Sequence, residues 1–169
     1  IIMDLTAMMQ RVVRAVTFDV KFYQEAKDDV RLSREALIVV IIAVALGAIG
    51  SIWGGFGSIL GALVAGIVGY YAWAYITHLV GANFFHGTGT FPQLQRTLGY
   101  AWAPQALGFI GLIPCIGWVG GLVGGIWSLA CGVLAVREAH GFDTNNAILT
   151  AIIGWLVWGV LFLLFSLIF

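Results

Sequence analysis

Charge is what this sequence has least of. Its 169 residues hold eight Lys and Arg and eight Asp and Glu, 9% of the chain. A soluble domain carries about 25%. With 61% hydrophobic residues and a mean hydropathy of +1.00, the chain is read as a polytopic membrane protein. The formal net charge is zero, so binding to nucleic acid has no electrostatic basis. Cysteine is also scarce. Cys115 and Cys131 lie about 24 Å apart along a helical path. That is too far for a disulfide, and both are read as small packing residues. The first 35 residues are too polar for the apolar core of a signal peptide. Because the sequence opens on Ile-Ile, either Met3 is the natural start or residues are missing upstream. Gly87-Thr88-Gly89 lacks the Lys and preceding strand of a phosphate loop. Glu138, His140 and Asp143 share one loop without metal-ligand spacing. No Ser-His, paired-Asp or His-Glu-x-x-His arrangement is present, so no catalytic residue, cofactor or metal is expected.

The charge that does occur is gathered. Residues 4–35 hold six of the eight basic and six of the eight acidic side chains. Leu5, Met9, Val12, Val16, Val20 and Tyr23 fall on one face at 100° per residue. Arg11, Arg14, Lys21, Glu25 and Asp28 fall on the other. The pattern predicts one amphipathic helix, lying on the bilayer surface or against the bundle and offering its apolar face to a partner. Residues 1–35 form this cytoplasmic or interfacial unit, and 36–169 form the membrane domain.

Five crossings are predicted: 36–52, 58–81, 98–113, 116–136 and 147–168. No Lys, Arg, Asp or Glu occurs between Arg96 and Arg137, a stretch long enough for two spans turned at Pro114-Cys115. Pro104 is expected to kink the third helix and free the carbonyl of Tyr100, with Gly99 thinning the helix beside it. Ser33 is expected to cap the first crossing, and Asp143 or Thr144 the fifth. Thr90 with Gln93 is expected to form a capping box, and Gly141 to terminate the fourth crossing. Gly57, Gly61, Ala65 and Gly69 recur every fourth residue, as do Gly117, Gly121 and Gly125. Such ridges let a neighbouring helix approach, and internal packing is the preferred use over self-association. His78 is read as a hydrogen-bonded interface residue, with no second His at a useful spacing. No ionisable group is expected to be buried in a crossing, which argues against an ion transporter.

Topology follows from charge. With five crossings, all eight Lys and Arg fall on one side, so the N-terminus is cytoplasmic and Phe169 lies on the far side.

Several short runs carry a family resemblance. They are Thr88-Gly89-Thr90-Phe91, Gln93, Arg96, Leu98-Gly99-Tyr100-Ala101 and Pro104. Ile113-Pro114 with Gly117, Trp127 and Val136-Arg137-Glu138-Ala139-His140-Gly141 continue the order, and Arg34-Glu35-Ala36-Leu37 precedes it. Together these resemble the bacterial branch of the Yip1 domain family, over about residues 8–165. The resemblance implies five helices, a cytoplasmic N-terminus and a multi-pass protein of the bacterial cytoplasmic membrane. Arg96, Gly99, Tyr100, Pro104, Pro114 and Gly117 match structural motif positions. Eukaryotic relatives associate with Rab-type GTPases in vesicle transport. This chain lacks their long N-terminal region and its acidic-Leu-Tyr-Gly-Pro element, so GTPase binding is not carried over. The expected function is a non-enzymatic scaffold that shapes or organises the membrane, or recruits membrane protein partners or further copies of itself. The alternatives are an accessory subunit of a bioenergetic or pigment-bearing complex and, third, a small transporter or channel.

Overall fold

Residues 5–168 are described in the computed structural model, with side chains described through 160 and at Leu163. Met3 and Phe169 lie outside the described residues. The described chain is all-helical: α1 (Leu5–Val16), α2 (Val20–Asp28), α3 (Leu32–Ile49), α4 (Phe56–Phe84), α5 (Phe91–Ala101), α6 (Gly117–His140) and α7 (Thr144–Ile168). A 3-10 turn, Ile52–Gly54, precedes α4, and a ten-residue 3-10 segment, Ala103–Leu112, links α5 to α6. Among the described residues α3, α4 and α6 are long and apolar enough to cross a membrane, and Thr144–Val160 of α7 is a shorter apolar helix.

The N-terminal amphipathic segment is two helices, not one. Thr17 turns its hydroxyl back onto the carbonyls of Val13 and Arg14. Phe18 then takes a left-handed φ of 63°. Asp19 accepts from the backbone N–H groups of Lys21 and Phe22 and so caps α2. This break resets the helical phase, and the single apolar stripe does not survive it. Leu5 and Met9 are 63% and 59% exposed, Val12, Val16 and Val20 are half-buried, and Tyr23 is fully buried. Met8, Ala15, Phe22 and Ala26 join Tyr23 on the face that packs inward. Ala15 is small enough to bring the backbone of α1 against α6.

The third crossing also departs from expectation. It is not an α-helix kinked at Pro104, because α5 stops at Ala101 and Pro104 enters the 3-10 segment near its start. Proline suits the first turn of a new helix, where its missing N–H is not needed. Eleven residues of α5 and ten of 3-10 helix give about 16 Å and about 20 Å of length. A 3-10 run this long is uncommon. Glycine on both sides accommodates it. A Cβ on Gly50, the cap residue just after α3, would overlap the carbonyl oxygen of Gly108, and one on Gly111 would stand 2.5 Å from that of Gly50. On the other flank, Gly120 and Gly124 of α6 face the carbonyls of Leu107 and Pro104. The slim segment is sandwiched, backbone against backbone, between α3 and α6.

Helix ends follow local chemistry. Gln93 Oε1 accepts from both the backbone N–H and the hydroxyl of Thr90, which forms the capping box of α5. Gly141 ends α6 with a left-handed φ of 71°. Ser33 does not cap α3: the helix already begins at Leu32, and Arg31 holds the cap position. Cys115, with φ 73°, forms the turn before α6, and both cysteines are free.

Candidate functional site

The α1–α2 hairpin is fastened to the helix bundle by ionisable groups that were expected to stay outside it. Glu35, one turn into α3, is 8% exposed. Arg11 donates to it from Nε at 2.7 Å and from Nη2 at 2.6 Å. The hydroxyl of Tyr100, on α5, donates to the same carboxylate at 2.8 Å. Three elements therefore meet on one carboxylate, each oxygen of which accepts at least one hydrogen bond. Glu35 at this position raises the basicity of Arg11 further.

Arg96 makes the second fastening. It is 6% exposed, on the buried face of α5. Its guanidinium donates to the carbonyls of Ala26 and Lys27 and to the hydroxyl of Ser33. Those carbonyls belong to the last turn of α2, where the helix leaves acceptors unpaired and the dipole favours a cation. Burial of both Arg96 and Glu35 corrects the expectation that the bundle holds no charge. In each case three hydrogen bonds offset part of the lost hydration.

Further contacts run down α6. Trp127 Nε1 donates to the carbonyl of Val16 at 2.9 Å, and Gln24 Nε2 to Glu138 Oε2 at 2.9 Å. Tyr23 donates its hydroxyl to the carbonyl of Ala15, and burial pushes its phenol well above the ordinary range. On the outer surface Arg14 pairs with Asp19 at 2.6 Å and Glu25 at 2.9 Å and lies over the Phe22 ring. The guanidinium holds both carboxyls below their usual range.

These contacts give the bundle unequal sides. From Cys131 to His140 no residue of α6 is exposed, whereas Trp118, Val119, Leu122, Val123, Ile126 and Trp127 all are. The same holds for α3: after Arg34, exposed side chains begin only at Ile41. On α4, by contrast, exposed apolar residues run from Phe56 to Phe84.

A histidine pair emerges that sequence spacing did not indicate. His140 ends α6 and is buried between His78 on α4 and Phe142. The ring centroids are 5.5 Å and 5.1 Å away and the planes lie 17° apart in each case. Gly81 and Gly87 leave room for it, since a Cβ on Gly87 would stand 2.5 Å from His140 Nδ1. Both ring nitrogens of His140 and Nδ1 of His78 have no hydrogen-bond partner among the described residues. Near-parallel imidazoles do not direct lone pairs at one point, so this stack is not a chelating geometry. Among the described residues no cluster of His, Cys, Asp and Glu could hold a metal ion.

The motif residues divide by task. Arg96 and Tyr100 fasten the hairpin, and Gly99 sits against Ala36, where a Cβ would come within 2.9 Å of the alanine methyl. Pro104 and Gly117 belong to the glycine sandwich, and Gly117 faces the Cα of Gly111. Pro114 stands apart, in the turn before α6. Of the glycine ridges, Gly69 packs on the Trp158 indole. Gly57, Gly61, Gly121 and Gly125 have nothing within 4 Å of where a Cβ would sit. Internal packing therefore does not account for these four. Gly120 and Gly124, one position earlier on α6, carry the close contact. Arg11, Glu35 and His140 were missed as a set, because each finds its partner far away in sequence. The available signal was Glu35 itself, an acid one turn inside an apolar helix.

No curated protein and no solved structure matched the chain. The family model of the Yip1 domain matches residues 14–167, nearly the whole length, and takes in the hairpin from Arg14 onward, Glu35, Arg96 with its partners on α2, and the glycine sandwich. The chain belongs to the Yip1 domain family.

Proposed function

We propose that this protein is a non-enzymatic membrane organiser whose body is a wedge, broader in the cytoplasmic half of the bilayer. One observation carries the reading: the docked hairpin and α5 jacket one half of α3 and α6, while the other half is joined by the slim 3-10 segment and exposes apolar side chains outward. The fastening along α6 reaches from Glu138 to Trp127. Trp127 lies about 20 Å along the axis from His140. A rigid body with unequal cross-sections displaces more area from one leaflet than from the other and favours a curved bilayer.

The proposed topology has five crossings, with α5 and the 3-10 segment together making the third. The N-terminus and the jacketed half are cytoplasmic, by the charge rule. The outward stripe Leu5, Met9 and Val13 on α1 is exposed and offers lipid or a membrane partner an apolar contact beside α6.

The test is sorting between small and large vesicles after reconstitution. The wild-type protein is expected to concentrate on small vesicles, and Arg11→Ala, which weakens the docking of the hairpin, to show less of that preference while still inserting. Equal density on both sizes for the wild type would overturn the wedge.

A further inference from the structure

Midway along the bundle, on the side away from the hairpin, α3, α4, the 3-10 segment and α7 enclose a partly open cavity of about 230 Å³. Four indoles form much of its wall: Trp73, Trp102, Trp155 and Trp158. Small residues on α3 and α4, among them Ala43, Gly47, Ala65 and Gly66, make the room. Trp155, at its edge, is exposed on the lipid-facing surface.

Two polar groups on this wall lack partners. Trp73 is 2% exposed, and its Nε1–H has no acceptor among the described residues. Gln105 lines the cavity from the 3-10 segment, and its side-chain amide makes no hydrogen bond among the described residues. In hydrocarbon an indole or amide left without a hydrogen bond is costly. An occupant with a matching acceptor removes that cost. Aromatic walls favour a flat partner. Depth narrows the choice. Trp73 stands eleven residues before the end of α4, about 16 Å along the axis. That is deeper than the ester carbonyls of a phospholipid, which stay at the headgroup boundary.

We propose that this cavity binds a quinone-class lipid: a flat ring bearing carbonyl oxygens on an apolar chain. The ring lies among the four indoles. The ring carbonyls accept from Trp73 Nε1 and from the Gln105 amide, and the chain leaves toward lipid past Trp155. The proposal concerns binding alone and is independent of the wedge.

The experiment titrates the purified full-length protein with a decyl-substituted benzoquinone and reads tryptophan fluorescence. A phospholipid with a brominated chain serves as the parallel quencher without ring carbonyls. Saturable quenching by the quinone is expected, with half-saturation raised about tenfold in Gln105→Leu, as for one lost hydrogen bond. Trp73→Phe is expected to do the same, and Ala65→Phe, which fills the cavity, to leave only linear quenching. Circular dichroism and elution profile identify any variant that has not folded, in which case the remaining two decide. Linear quenching of the wild type, or equal half-saturation in wild type and folded variants, would overturn the proposal. So would a brominated phospholipid that saturates with the same dependence on Gln105.

Discussion

Arg11 and Glu35 face each other across twenty-four positions of sequence and close a two-pronged ion pair at 2.7 and 2.6 Å. Glu35 is the more buried partner, with 9% of its side chain exposed against 31% for Arg11. Arg11→Ala therefore leaves a buried carboxylate with only Tyr100 to satisfy it. Breaking a buried pair costs about 3–5 kcal/mol. With one partner part-exposed, a loss of about 3 kcal/mol in hairpin docking is expected. Hydrogen exchange checks it: amides of α1 and α2 should exchange faster, with α4 and α7 unchanged.

Arg96→Lys tests the second fastening. The planar fork reaches two carbonyls and a hydroxyl at once, and an ammonium on a flexible stem does not reproduce that geometry. A cost of about 1–2 kcal/mol is expected. Limited proteolysis in the α2–α3 turn at residues 29–31 should become faster, with membrane insertion intact.

Glycine-to-alanine pairs on α6 separate the two ridges. Gly121→Ala and Gly125→Ala meet open space within one chain, so each should add about 1 kcal/mol of helix propensity. Gly120→Ala and Gly124→Ala drive a methyl onto the carbonyls of Leu107 and Pro104 and should destabilise by about 1–3 kcal/mol. Thermal unfolding in detergent should show opposite signs for the neighbouring pairs. A loss of stability in Gly121→Ala would instead reveal a contact between copies.

The outer braces of the hairpin should respond to acid. Arg14 holds Asp19 and Glu25 below their ordinary range, so their contribution is complete above the unfolded values near pH 4. It is lost as pH falls through the lower folded values. Exchange at the start of α2 should therefore accelerate only below about pH 4. In Arg14→Gln the pH dependence in that window should shrink to the part that the Lys21 and Phe22 backbone N–H groups give Asp19.

The two free cysteines report topology. Cys115 is exposed in the turn before α6 and Cys131 is buried. An impermeant maleimide added outside intact cells should label Cys115 and spare Cys131. Labelling from the cytoplasmic side alone would reverse the proposed orientation.

Much of this molecule was legible in its residues. The helical class, the capping box at Thr90 and the stop at Gly141 follow from local chemistry, and local chemistry is what a sequence displays. The break at Thr17–Asp19 was local too, but helical periodicity on either side masked it. Reading α5 and the 3-10 segment as one α-helix failed differently. Pro104 marked the disturbance, but its outcome depended on Gly47 in α3, Gly50 at its cap, and Gly120 and Gly124 of α6. The pairs Arg11–Glu35, Tyr100–Glu35 and His78–His140 depend on tertiary proximity, which spacing along the chain does not encode.

At the glycine sandwich three stretches of main chain touch with no side chain between them. A core of interlocking leucines absorbs a substitution by repacking, because one volume can be exchanged for another. Here there is no volume to exchange. The positions that tolerate least change in this protein are those occupied by a hydrogen atom, and variation should be heaviest along the tall apolar flank of α4.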